Sequence, residues 1–129
     1  MSKIIEGLQY TQEHEWISIE GNIATIGITD FAQSSLGDIV FVELPDEGEV
    51  LEATSSFGVV ESIKSVSDLY SPLSGKILEK NSSAEDAPEG LNEDPFGTWL
   101  IKIEINTGDP ALGKLMDSKA YKEYCEANA

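Results

Sequence analysis

Apolar and polar residues alternate with a period of two through most of the first two-thirds of the chain, which predicts strands. Trp16-Ile17-Ser18-Ile19-Glu20 and Ile23-Ala24-Thr25-Ile26-Gly27-Ile28 flank Gly21-Asn22, the pattern of two strands joined by a tight hairpin. Thr29 or Asp30 then offers an N-cap for a short helix over 31–36 that Gly37 stops. A strand is predicted over 38–44, a turn at Pro45-Asp46-Glu47-Gly48, and another strand over 56–62. A tight turn around 63–66 leads into an extended piece over 68–71. After the turn Pro72-Leu73-Ser74-Gly75, residues 76–80 return as a strand.

Residues 81–95 are rich in Asn, Ser, Asp, Glu, Gly and Pro and read as an exposed loop with room for a helical turn. Alternation resumes over 96–105, with Trp99, Ile101, Ile103 and Ile105 on one side. Only the end of the chain is helical in pattern: Asp117 can cap it, Met116 can staple onto Tyr121, and Tyr121, Tyr124 and Cys125 share a helical face. Short strands with Gly and Pro punctuation followed by one terminal helix predict a mainly β fold, a sandwich or flattened barrel. The length, 129 residues and 14.0 kDa, corresponds to one domain over 1–129.

Composition narrows the function. Eight basic residues, all Lys, face 24 acidic ones for a formal charge of −16. Such a chain repels phosphate backbones and anionic lipid, so neither nucleic acid nor membrane is an expected partner. The longest uncharged stretch, 21–29, is too short to span a bilayer. Met1 to Glu6 shows no export or transit pattern. That favours a prokaryotic cytoplasm over a processed mitochondrial matrix form. The lone thiol, Cys125, cannot close an internal disulfide and reads as packed or idle.

Enzyme templates are missing. There is no phosphate-cradling Gly loop, no Cys/His metal cluster and no nucleophile elbow. Acidic pairs such as Glu13/Glu15 and Glu47/Glu49 read as solvated face, His14 as a strand or edge residue, and Phe57 and Trp16 as core. Gly27, Gly37, Gly58 and Gly75 read as backbone or close-packing positions. Lys64 stands out: it is the only Lys between Lys3 and Lys76, at the apex of a predicted hairpin among negative charges. From spacing alone, a turn Lys paired with Glu61 or Asp68 is favoured over a modification site.

The surrounding residues decide between these. Gly58-Val59-Val60-Glu61-Ser62-Ile63-Lys64-Ser65-Val66-Ser67-Asp68-Leu69-Tyr70-Ser71-Pro72-Leu73-Ser74-Gly75 resembles the lipoylation segment of the glycine cleavage system H proteins. Four further blocks follow the same family in order: His14-Glu15-Trp16; 24–30 with Ala32-Gln33; 36–45; and Asn92-Glu93-Asp94-Pro95 followed by 99–103. The chain departs from the family pattern at Phe31 and Ser35, where many or some members carry His, and in a shorter Gly97-Thr98-Trp99 junction.

The resemblance implies a hybrid barrel-sandwich, the fold of lipoyl and biotinyl carriers, with lipoate amide-linked to Lys64. It implies a carrier and co-substrate rather than an enzyme. The arm would take an aminomethyl group from the pyridoxal-phosphate glycine decarboxylase to the tetrahydrofolate-dependent aminomethyltransferase. Dihydrolipoamide dehydrogenase, a flavin (FAD) enzyme, would reoxidise it. Glu61 is expected to help a lipoate–protein ligase or octanoyltransferase recognise the lysine, and Glu15 and Asp68 to contact the loaded arm. Alternatives are an H-like relay that donates lipoyl or octanoyl groups to other proteins, a biotin carrier, a lipoyl domain of a 2-oxo acid dehydrogenase, and an unmodified acidic binding module. Ile63 and Ser65 beside the lysine argue against the biotin carrier and the dehydrogenase domain.

Overall fold

The Gly21-Asn22 hairpin forms as the alternation requires. The structure, a computed structural model, describes residues 3–127. Met1 and Ser2, the start of the segment read above for a targeting signal, lie outside the described residues. β2 (Glu15–Glu20) and β3 (Ile23–Ile28) pair antiparallel from Glu20↔Ile23 to Glu15↔Ile28. Of the two loop residues only Gly21 has a positive φ, 60°, the pattern of a turn with Gly at its first central position.

β3 also pairs with β9 (Ile101–Ile105), and β9 with β8 (Gly75–Lys80). Two-residue strands, β1 (Gln9–Tyr10) and β5 (Val50–Leu51), close the edges, giving a six-stranded sheet in the order β1-β2-β3-β9-β8-β5. β4 (Ile39–Glu43), β6 (Ser56–Ser62) and β7 (Val66–Tyr70) form a second antiparallel sheet in the order β4-β6-β7. The sequence pattern foresees neither two-residue strand, because a period of two cannot be read from two residues.

The main core lies between the sheets. Ile26, Ile77, Ile101 and Ile103 from the larger sheet meet Val42, Val60 and Leu69 from the smaller one, all buried in one cluster. β2 faces two ways. Ile17 enters this core, while Trp16 points into a second cluster built with Tyr10, Tyr121 and Cys125. Gly27 lies opposite Trp16 in the ladder, and a Cβ there would strike the indole. Phe57 is buried as expected.

α1 (Asp30–Leu36) is capped by Thr29, whose side chain accepts the Ala32 N–H, and ends at Gly37 with φ 82°. α4 (Ser118–Ala127) packs on the second cluster. Asp117 accepts the Ala120 N–H at 2.8 Å, and Tyr121 stacks on Tyr10 with ring centroids 4.5 Å apart. A 3₁₀ turn, Pro110–Lys114, precedes it.

Two stretches differ from the sequence reading. Residues 81–95 are not an exposed loop: α2 (Ser82–Asp86) and α3 (Gly90–Glu93) drive Ala84 and Leu91 into the core, both at 0% exposure. One apolar anchor per short helix leaves no periodicity to read. β9 starts at Ile101 rather than at residue 96. Trp99 packs against the second cluster instead of joining the isoleucine row, and its carbonyl accepts from Asn81 Nδ2 at 2.7 Å.

Candidate functional site

Lys64 occupies the tip of the β6–β7 hairpin, exposed to solvent. The tip is fixed by its own serines. The Ser62 N–H donates to the Ser65 carbonyl at 2.8 Å, and Ser62 Oγ accepts from the Ser65 N–H at 3.1 Å. This is side-chain closure of a tight turn. The Ile63 N–H donates outside the hairpin, to the Asp38 carbonyl at 3.0 Å, so the tip is also lashed to the corner between α1 and β4. The Lys64 stem lies over Gly37: a Cβ there would be 3.4 Å from Lys64 Cε. The φ of 82° and ψ of −157° at Gly37 fall where only glycine sits without strain.

The pairing of Lys64 with Glu61 or Asp68 is not found. Among the described residues the Lys ion pairs within 4 Å are those of Lys80 with Asp46 and Glu85. Glu61 stands between Phe41 on β4 and Val66 on β7 in the ladder. It therefore shares the outer face of the smaller sheet with both. Phe41 and Val66 are exposed, so apolar side chains flank Glu61 on both neighbouring strands.

Glu15 and Asp68 are set apart by burial. Glu15 is 3% exposed. Its Oε2 accepts the Tyr70 N–H at 3.0 Å and its Oε1 the Thr11 hydroxyl at 3.2 Å. Burial outweighs these bonds and pushes the carboxyl up to about 8. It lines a cavity of about 570 Å³ together with Thr11, Thr54, Tyr70, Pro72 and Lys114. Thr54 there holds φ at 75°, a conformation β-branched residues rarely adopt. Asp68 is exposed on β7, two residues before Tyr70 and outside the cavity lining. Tyr70 lies four residues, about 13 Å, along β7 from Val66 at the base of the tip.

His14 stands immediately before β2, at the strand's edge. It sits at φ 64° with its ring stacked on Phe31, centroids 4.3 Å apart, and Nδ1 2.8 Å from the Tyr121 hydroxyl. That hydroxyl also meets Thr29 Oγ1 at 2.8 Å. Desolvation lowers the imidazole below its ordinary range, against the pull of Glu13. Phe31 therefore serves as a packing surface for His14.

The body is mainly β, two antiparallel sheets with one lysine presented at a braced hairpin tip. The Glycine cleavage H-protein family matches residues 8–128, so this chain belongs to that family. A glycine cleavage system H protein of Alkaliphilus oremlandii is 52% identical over 127 residues, covering 98% of this chain and 99% of its own. One of Carboxydothermus hydrogenoformans is 51% identical over 127 residues, covering 98% and 97%. A crystal structure of a glycine cleavage system H protein from Mycobacterium marinum superposes with a TM-score of 0.83 at 41% identity, covering 97% of this chain and 98% of that one.

The function follows from membership: the chain is a lipoyl carrier of aminomethyl groups in glycine cleavage, a carrier and not a catalyst. The family carries covalent lipoate, and the P, T and L proteins of the system are its partners. No helix among the described residues is long and apolar enough to cross a membrane, and the relatives named are bacterial or, like them, glycine cleavage H proteins.

Proposed function

We propose that Lys64 is the residue that carries the lipoyl group, that Glu61 guides its attachment, and that Glu15 and Asp68 receive the loaded arm. The carrying observation is the exposed amine, without an ion pair among the described residues, on a tip whose backbone is fixed by Ser62, Ser65 and Asp38. A fixed backbone with a free side chain suits an acyl-transferring enzyme that must find one amine among eight.

The residues present fit the group. The Gly37 surface lets the Lys64 stem lie flat. From Cα to the ring a lipoyl-lysine arm reaches about 14 Å, the same scale as the run of β7 from the tip to Tyr70 at the cavity wall. When bound, the dithiolane supplies thiol–disulfide exchange. Burial raises the Glu15 carboxyl to about 8, and a cationic aminomethyl group beside it would favour the carboxylate, because an adjacent positive charge stabilises the ionised form. Asp68, on the way to the cavity, adds an exposed and weaker attraction.

The finer partners in this reading are the pyridoxal-phosphate glycine decarboxylase, the tetrahydrofolate-dependent aminomethyltransferase and the flavin-dependent dihydrolipoamide dehydrogenase. A lipoate–protein ligase or octanoyltransferase loads the lysine. The whole of 1–129 acts as one carrier domain in a bacterial cytoplasm, and neither nucleic acid nor membrane takes part. Intact mass and peptide mapping after incubation with ligase, lipoate and ATP test the site. One lipoyl adduct on the Lys64 peptide, lost in Lys64→Arg, is the expected result. An adduct that persists in Lys64→Arg overturns it.

A further inference from the structure

The motif Asn92-Glu93-Asp94-Pro95 has no part in the arm chemistry, yet its first residue lies under the tip. Asn92 Oδ1 accepts the Ile39 N–H at 2.8 Å. Its Nδ2 donates to the Gly37 carbonyl at 2.9 Å and to Gln33 Oε1 at 3.0 Å. One carboxamide thus holds backbone groups on both sides of Asp38, and the Asp38 carbonyl is the group that accepts from Ile63 of the tip. The amide itself is held from below. Leu91 next to it is fully buried, and the Asn92 N–H bonds the Glu89 carbonyl at 3.0 Å.

From this arrangement we infer that Asn92 is a positioning residue for acylation of Lys64. It fixes the Gly37–Ile39 corner on which the hairpin tip is braced and over which the lysine stem lies. The inference rests on the reading of Lys64 as the attachment site. In the reaction, Lys64 Nζ attacks the carbonyl of an acyl adenylate made from lipoate and ATP. An amide forms, the acyl–phosphate bond breaks, AMP leaves, and the amine gives up a proton. Asn92 touches none of these atoms. It narrows the range of tip positions, so the amine spends more of its time where the docked enzyme needs it. The outer face of the smaller sheet, where the enzyme would grip, is untouched by the substitution, so the loss falls on kcat and not on KM.

The test uses the full apo chain, a lipoate–protein ligase, lipoate and ATP, with single-turnover and steady-state rates read by intact mass. Asn92→Ala removes all three bonds, and Asn92→Asp keeps only the acceptor for Ile39 while setting a carboxylate against two oxygens. Each is expected to lower kcat about tenfold with KM within twofold. Ile77→Val, in the core on β8, serves as the control. Compared at temperatures where the variants are equally stable, it keeps the wild-type kcat. Wild-type kcat in both Asn92 variants, or an equal loss in Ile77→Val, overturns the inference and assigns Asn92 to stability alone. Should Asn92→Ala not fold, Asn92→Asp carries the same test. A wild-type chain that gains no adduct on Lys64 defeats the attachment reading instead, and the two failures are distinct.

Discussion

Glu15 on β2 and Tyr70 on β7 are joined across the two sheets, the buried carboxyl of one accepting the backbone N–H of the other at 3.0 Å. A carboxyl held at the join of two sheets pays for its charge in stability, and its titration is therefore visible in the whole protein. Folding raises it from 4.5 to about 8. Between those values the folded state holds a proton that the unfolded chain has lost, so the stability it contributes is full below 4.5 and declines as pH rises through about 8. Glu15→Gln, uncharged at every pH, is expected to remove this decline. The difference reaches the order of 4 kcal/mol at pH 8.5, read from urea unfolding of both proteins across pH 4.5–8.5. Parallel curves for the two would reject it.

Asp68 is exposed, so its attraction for a cationic cargo is worth only about 0–1 kcal/mol. Aminomethyl release from loaded Asp68→Asn is expected to be up to about fivefold faster, and the increase should shrink at high salt. Glu15→Gln should release faster still. Equal release from wild type and both variants would remove these two residues from the arm's path.

The apolar flanks of Glu61 predict a different kinetic effect. Phe41→Ser with Val66→Ser takes apolar area from the face beside the lysine and leaves the tip bonds in place. KM for the ligase should rise about tenfold with kcat unchanged. Glu61→Gln is expected to raise KM by a smaller factor. A kcat effect without a KM effect would place the docking surface elsewhere.

Gly27→Ala tests the division of β2 between two cores. The added methyl meets the Trp16 indole, whose Nε1 donates to the Pro95 carbonyl at 3.1 Å. Displacing the ring costs that bond and the packing, about 1–3 kcal/mol. Denaturant unfolding gives the loss, and a red shift of Trp fluorescence reports the moved ring.

The sheets were legible because Ile101, Ile103 and their partners repeat every second residue, and a half-buried strand needs little more. α1 was legible from Thr29 and Gly37, whose capping roles are local chemistry. The place of Lys64 at a hairpin tip was legible because alternating runs flank a tight turn there. Asn92 was not, since it meets Gly37 and Ile39 from more than fifty residues away and nothing local marks the contact. Nor was the burial of Glu15, because a carboxyl in an acidic strand reads as solvated until the β7 chain is laid over it. The packing partners of His14 were not legible either, since Phe31 and Tyr121 come from two separate helices.

Both rims of the larger sheet are finished with strands of two residues, Gln9–Tyr10 and Val50–Leu51. Rims this short offer a strand of another molecule almost no ladder to extend, which disfavours edge-to-edge pairing through that sheet.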